Sequence, residues 1–296
     1  MSGTGTQAPF GPLGVMRSWL QSGRAAGSRR RGIGSIWAWL IFIAGGLYFI
    51  LPLVGTYLFS TRPRPDPFLA YRQVLADDGF LGGLLYSFVA GLVTIFISLL
   101  IIVPTAYWVR LRLPRARPIV EFVTLMPFVV PPIVLAFGLI RIYGGGSPII
   151  VLAATDLGLN ILLVAAYVIL SFPYMYRAVD TGLAAIDVRT LTEAAQSMGS
   201  GWGRILLQVI FPNLRTALLS GAFLTLAIVI GEYTIAQVLA RTQAFGPYLS
   251  LLGRSSQPFQ PAAVSLISFG LTWIAMVAIA LLGRGSRQRV QVAGAR

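Results

Sequence analysis

The 296-residue chain is 56% hydrophobic and only 11% charged, against about 25% charged residues in soluble domains, a balance that belongs to a membrane protein. Its net charge of +14 comes from 23 basic residues, all Arg, against 9 acidic ones. These Arg residues are dispersed between apolar runs, which points to topology-setting charge and away from nucleic acid. With no Cys, His or Lys, the chain excludes disulfides, zinc or thiolate sites, His acid–base chemistry and a lysine-bearing phosphate loop.

Residues 1–34 are rich in Gly, Ser and Arg, lack apolar periodicity and are expected to form a disordered basic tail in the cytoplasm. Arg29, Arg30 and Arg31 look like the start of a secretory or twin-arginine signal. The apolar run after them is about 24 residues, long enough to span, so an uncleaved signal anchor is expected. Spanning runs follow at 35–59, 82–109, 118–141, 153–175, 216–239 and 262–282. Each meets the roughly 20-residue requirement for crossing a hydrocarbon core about 30 Å thick. Without water to satisfy the backbone, each must be a helix, giving an all-α polytopic membrane protein with six transmembrane helices. Pro127, Pro131 and Pro132 fall inside the third run and should kink it.

Loop charges set the orientation. Arg17, Arg24, Arg29, Arg30 and Arg31 precede the first run, and Arg110 to Arg117 holds four Arg residues. The fourth connection carries Arg177, Arg189, Arg204 and Arg215, and the C-terminal tail, 284–296, carries Arg284, Arg287, Arg289 and Arg296. The other loops are balanced or poor in Arg: Arg62, Arg64 and Arg72 meet Asp66, Asp77 and Asp78, and no Arg lies between Tyr143 and Asp156. The alternation puts both termini and the 177–215 connection in the cytoplasm.

That connection reads EAAQSMGSGWGRILLQVIFP from Glu193 to Pro212. A short helix is expected from near Leu191 or Thr192, with Glu193 in its first turn. Ala194 and Ala195 are small enough for close approach to another surface. Gly199, Gly201 and Gly203 should end the helix through a positive φ, and Pro212 should open the next one. Apolar spacing through Leu183, Ile186, Leu191, Ala194, Ala195 and Met198 predicts short packed helices. The spacing resembles the EAA loop of ABC importer permeases: E-A-A, three residues, G, nine residues, then I-x-L-P. Glu193, Ala194, Ala195 and Gly199 match it, with Val209, Phe211 and Pro212 in the I, L and P positions. An ordinary amphipathic helix resting on lipid, with Trp202 and Arg204 at headgroup level, is the plainer alternative.

Intramembrane charges are costly and point to function. Glu232 lies in the run Ile230-Gly231-Glu232-Tyr233-Thr234-Ile235-Ala236, which resembles the GEF/GEY-T-I-A stretch of polyamine, ferric-iron and aminoethylphosphonate permeases. Phe245 to Leu249 is similar to the same group, and the T-I-A continuation leans away from sulfate and molybdate permeases. Glu232 and Tyr233, with the Pro131–Pro132 pair that interrupts the third run, are the pathway candidates. Glu232 would suit a cationic solute if it faces the pathway; otherwise it fastens helices by hydrogen bonds.

The resemblance, covering most of 35–283, implies the transmembrane domain of a binding-protein-dependent ABC importer of the type I-like fold, in the bacterial plasma membrane. It implies that the EAA loop docks on an ABC ATPase dimer, which alone holds ATP and Mg and does the hydrolysis. It also implies a second, different permease chain, an extracytoplasmic solute-binding protein on the outer loops, and lipid around the spans. No cofactor, metal, catalytic group or nucleic-acid partner is expected in this chain. The spermidine/putrescine-like subgroup is the expected one, with iron or an aminophosphonate as alternative cargo. A secondary transporter or channel acting without an ATPase is the alternative class.

Overall fold

The computed structural model describes residues 37–63, 65–144, 152–254 and 258–284. The expected basic tails, 1–34 and the residues after Arg284, lie outside that range, as does most of the third outer connection. The chain divides into two units after Leu58. The described part of the first, 37–58, is most of helix α1, which runs Trp37–Ser60. Ile41, Phe42, Phe49 and Leu51 make it apolar on every face, as a membrane span is.

The second unit is also helical, with no strand among the described residues. In order come α2 (Leu69–Leu75), α3 (Asp78–Leu111), a 3₁₀ turn at Pro114–Ala116, α4 (Arg117–Val129) and α5 (Pro132–Tyr143). Then follow α6 (Asp156–Ala184), α7 (Val188–Ser197), α8 (Trp202–Arg204), a π turn (Ile205–Ile210) and α9 (Phe211–Gly231). The unit closes with α10 (Thr234–Val238), α11 (Phe245–Gly253) and α12 (Gln260–Arg284).

The scaffold is α3, α6 and α9, packed on one another. In lipid, apolar faces give no net drive to associate, so small side chains and buried hydroxyls set such contacts. A Cβ on Gly221 of α9 would come within 2.9 Å of Met175 Sδ on α6. Between α3 and α6, the buried hydroxyls of Ser98 and Ser171 are hydrogen bonded at 2.6 Å. All three helices outrun the bilayer: α3 has 34 residues, α6 has 29, and Trp202–Gly231 is a continuous 30-residue helix. At 1.5 Å per residue these are about 44–51 Å long, against a hydrocarbon core of about 30 Å.

Two expected spans are corrected. The third, 118–141, is not one kinked helix: α4 and α5 meet at 98°. Val130 and Pro131 each precede a proline and are driven out of the α region, to ψ values of 115° and 139°, so two successive residues are extended. The fifth, expected at 216–239, begins instead at Trp202 and stops at Gly231. Pro212 therefore does not open a separate helix. Its ring would clash with the carbonyl four residues back, at Gln208, and the π turn ending at Ile210 widens the ladder there and lets the helix continue. Because α6 also continues to Ala184, the connection expected over 177–215 shrinks to 185–201.

Candidate functional site

Two places gather the residues marked in the sequence. The first is α7, at the end that the charge pattern assigns to the cytoplasm. It starts earlier than expected: Asp187, not a residue near Leu191, is its cap, and Glu193 sits mid-helix rather than in the first turn. The Asp187 carboxylate accepts from the Thr190 backbone N–H at 3.2 Å and the Thr190 hydroxyl at 2.7 Å. That hydroxyl first, and then the backbone N–H, hold the exposed carboxyl below its ordinary pKa.

The inner face of α7 is Val188, Thr192 and Ala195, all buried at helical spacing. Thr192 donates its hydroxyl proton to Val188 O at 2.7 Å. The Tyr107 hydroxyl on α3, 3.0 Å from Thr192 Oγ1, must therefore be the donor of that bond. The outer face carries Glu193, which accepts from Arg189 Nε at 2.9 Å, together with exposed Ala194 and Met198. The two alanines thus do different jobs: Ala195 fits the helix to its own protein and Ala194 looks out. Met198, expected to pack, is 79% exposed.

The far end is closed by a Schellman turn. Gly199 has φ +77°, Gly199 N–H donates to Gln196 O at 2.9 Å and Ser200 N–H to Ala195 O at 3.0 Å. Gly201 is extended and Gly203 lies within α8, so Gly199 alone supplies the left-handed turn. Trp202 then stacks on Trp108 of α3 with ring centroids 4.8 Å apart, and Arg112 lies over the Trp202 ring at 5.3 Å. Trp202 is therefore a fastening to α3. Capped at one end, turned at the other and bonded through Thr192, α7 is a fixed platform.

Nearby, Asp180 on α6 accepts from Arg117 on α4 at 2.9 Å and from Arg110 on α3 at 3.3 Å. Arg117 also pairs with Glu121 at 2.8 Å, so Glu121 belongs to a charge network that joins three helices. Sequence spacing missed Asp180, whose partners are 63 and 70 residues away.

The second place is the break between α9 and α10. A cavity of about 530 Å³ is lined by Pro131, Pro132, Tyr174, Glu232, Tyr233 and Thr234, among others. The four pathway candidates, from segments 100 residues apart, thus share one cavity, in which Glu232 is the charged side chain among the described lining residues. Its carboxylate is turned into α10, accepting from Ile235 N–H at 2.9 and 3.0 Å and from Ala236 N–H at 3.2 Å. It caps the short helix that the chain break would otherwise leave with orphan donors. The second side of the break is Gly246, which lies against the Glu232 carbonyl.

Sequence reasoning also missed a polar cluster at the outer end. Arg241 donates to Asp156 Oδ1 at 2.8 Å and to Asn160 Oδ1 at 3.2 Å, and Asn160 Oδ1 also accepts from Tyr86 at 2.7 Å. Among the described residues no His, Cys, Asp or Glu group is arranged to hold a metal ion.

The chain matches the family described as "Binding-protein-dependent transport system inner membrane component" over residues 79–290. It is 26% identical to the "Probable molybdenum ABC transporter permease protein" of Haloferax volcanii, over 86% of this chain and 96% of that one. It is also 26% identical to the spermidine/putrescine transport system permease protein of Haemophilus influenzae, over 70% of this chain and 76% of that one. Equal identities leave the polyamine subgroup unselected and remove the expected lean away from molybdate permeases. A crystal structure of a bacterial ABC transporter involved in the import of the acidic polysaccharide alginate shares the fold, with a TM-score of 0.56 at 19% identity over 88% of this chain and 98% of that one. This chain, with its apolar helices of spanning length, belongs to the binding-protein-dependent transport system inner membrane components: it is a permease subunit of an ABC importer.

Proposed function

We propose that this permease forms a solute pathway with a second, different permease chain, with the cavity at the α9–α10 break as its part of the lining. An ABC ATPase dimer, which carries the ATP and Mg, docks on the outer face of α7 through Glu193, Ala194 and Met198. Gly199 holds that face, and the helix leading through Pro212 carries the motion inward. An extracytoplasmic solute-binding protein delivers the solute to the outer end. The observation that carries the docking role is the combination of a rigid α7 with an exposed Met beside an exposed acid–base pair. Co-purification of the cognate ATPase should be lost in a Glu193→Arg, Met198→Asp double variant; retained assembly and transport would overturn it.

For the solute, the carboxylate in the cavity wall favours a small cation, a polyamine first and iron or an aminophosphonate after it. The second reading is an oxyanion, supported by the capping bonds that already engage the Glu232 oxygens. The ligand retained by the purified cognate binding protein decides between them: a polyamine supports the first reading, and molybdate or sulfate overturns it.

A further inference from the structure

The polar cluster at the outer end holds an Arg in an unusual setting. Arg241 has a side chain only 8% exposed, while its ion-pair partner Asp156 is 90% exposed. Burying a guanidinium is strongly unfavourable unless it is paired and hydrogen bonded. Here three acceptors are met: Asp156 Oδ1, Asn160 Oδ1 and, at 3.5 Å, Asp156 O. The Nε atom has no partner. The backbone before it is strained as well, since Ala240 has φ +55°, a left-handed conformation that is costly for a non-glycine residue. That turn closes the end of α10, with Arg241 N–H donating to Ala236 O at 2.8 Å and Ala240 N–H to Gln237 O at 3.1 Å.

These costs are borne at the C-terminal end of the same short helix whose N-terminus Glu232 caps. α10 has only five residues and cannot be stable alone. Glu232 fastens one end, and Arg241 fastens the other to α6 through Asp156 and Asn160 and, through Asn160 and Tyr86, to α3. The two ends of α10 are thus held by separate groups, Glu232 at the cavity wall and Arg241 at the outer surface.

We propose that Arg241 is a positioning residue for transport: its pairing with Asp156 and Asn160 clamps α10 and so fixes the Glu232–Thr234 wall of the cavity. This rests on the reading of that cavity as solute pathway. The strained Ala240 turn aims the guanidinium at α6, and the exposed partner carboxylate makes the clamp releasable from the outer surface. Loss of the clamp loosens the wall without touching the α7 platform.

The chain lacks Cys, so a single reporter can be placed with no other change. In membrane vesicles holding the assembled transporter, a Thr234→Cys reporter is labelled with a membrane-impermeant maleimide, with and without Arg241→Gln. Arg241→Gln should raise the labelling rate about tenfold, Asp156→Asn by a smaller factor, and Arg241→Lys, which keeps one bond to Asp156, should stay close to the parent. An Ala76→Cys reporter, exposed at the end of α2 in the first outer connection, should be labelled equally in all of them. Where Arg241→Gln fails to assemble, Asp156→Asn alone decides, since it alters an exposed carboxylate and leaves no void. A rate at Thr234→Cys unchanged within twofold in the assembled variants overturns the clamp while leaving the cavity reading intact. No labelling in any variant overturns the cavity reading and the clamp with it.

Discussion

Glu232 and Gly246 meet through their backbones: a Cβ on Gly246 would lie 2.3 Å from the Glu232 carbonyl oxygen and 3.0 Å from Tyr233 Cα. Neither atom is the far end of a flexible side chain, so nothing near can yield. Gly246→Ala should force α11 away from the break and lower stability by about 1–3 kcal/mol, read as a fall in melting temperature of the purified permease. Gly138→Ala is the control, because nothing lies within 4 Å of a Cβ there and the position is interior to α5. It should stabilise by about 0.5–1 kcal/mol.

Glu232→Ala removes the acceptor for Ile235 N–H and Ala236 N–H together, leaving buried donors unmet. A cost of about 1–3 kcal/mol is expected, with α10 amides exchanging faster with deuterium than those of α9. Glu232→Gln keeps one oxygen acceptor and should retain most of that protection. Under the cationic reading it should nonetheless raise the uptake KM for spermidine; an unchanged KM assigns Glu232 to capping alone.

Gly199→Ala tests the Schellman turn without steric confusion, since no atom lies within 4 Å of a new Cβ there. The cost is the positive φ itself, about 1 kcal/mol, and should appear as faster exchange at Gly199 and Ser200 and weaker ATPase co-purification. An Ala variant with unchanged exchange would show that the turn is held by its neighbours instead.

The Asp187 cap gives α7 a pH dependence with a definite sign. Its folded-state pKa is depressed, so its contribution is present above the ordinary carboxylate pKa and disappears as the pH falls through the lower folded value. Exchange protection of α7 should therefore persist at pH 5 and fade only below about pH 4, whereas Asp187→Asn should show no such transition. Loss of protection already near pH 6 would place the cap elsewhere.

Much of this was readable from residue type and spacing. The long apolar runs mark four of the six spans where helices lie, and Gly199 marks the turn that ends α7. Pro131 and Pro132 marked the break, although a run of apolar residues carries no sign that the two halves meet at 98°. The start of α7 lies earlier than its spacing suggests because Asp187 caps it through Thr190, before the EAA residues begin. The Arg241–Asp156 pair, 85 residues apart, could not be read from local pattern, since its meaning comes from the packing of α6 against the α10–α11 turn. Met198 looked like core by its spacing, and only the face chosen by Val188, Thr192 and Ala195 turns it outward.

The length of the Trp202–Gly231 helix has a mechanical consequence. Its foot is stacked on Trp108 close to α7, and its head ends at the cavity. A rigid rod of 30 residues is about 45 Å long, so tilting it by about 5° at the foot swings the head by about 4 Å. That is wider than a water molecule. Were the ATPase to dock on α7 as proposed, a nudge there too small to repack any side chain would, at the other end of this helix, be the difference between a closed wall and an opening.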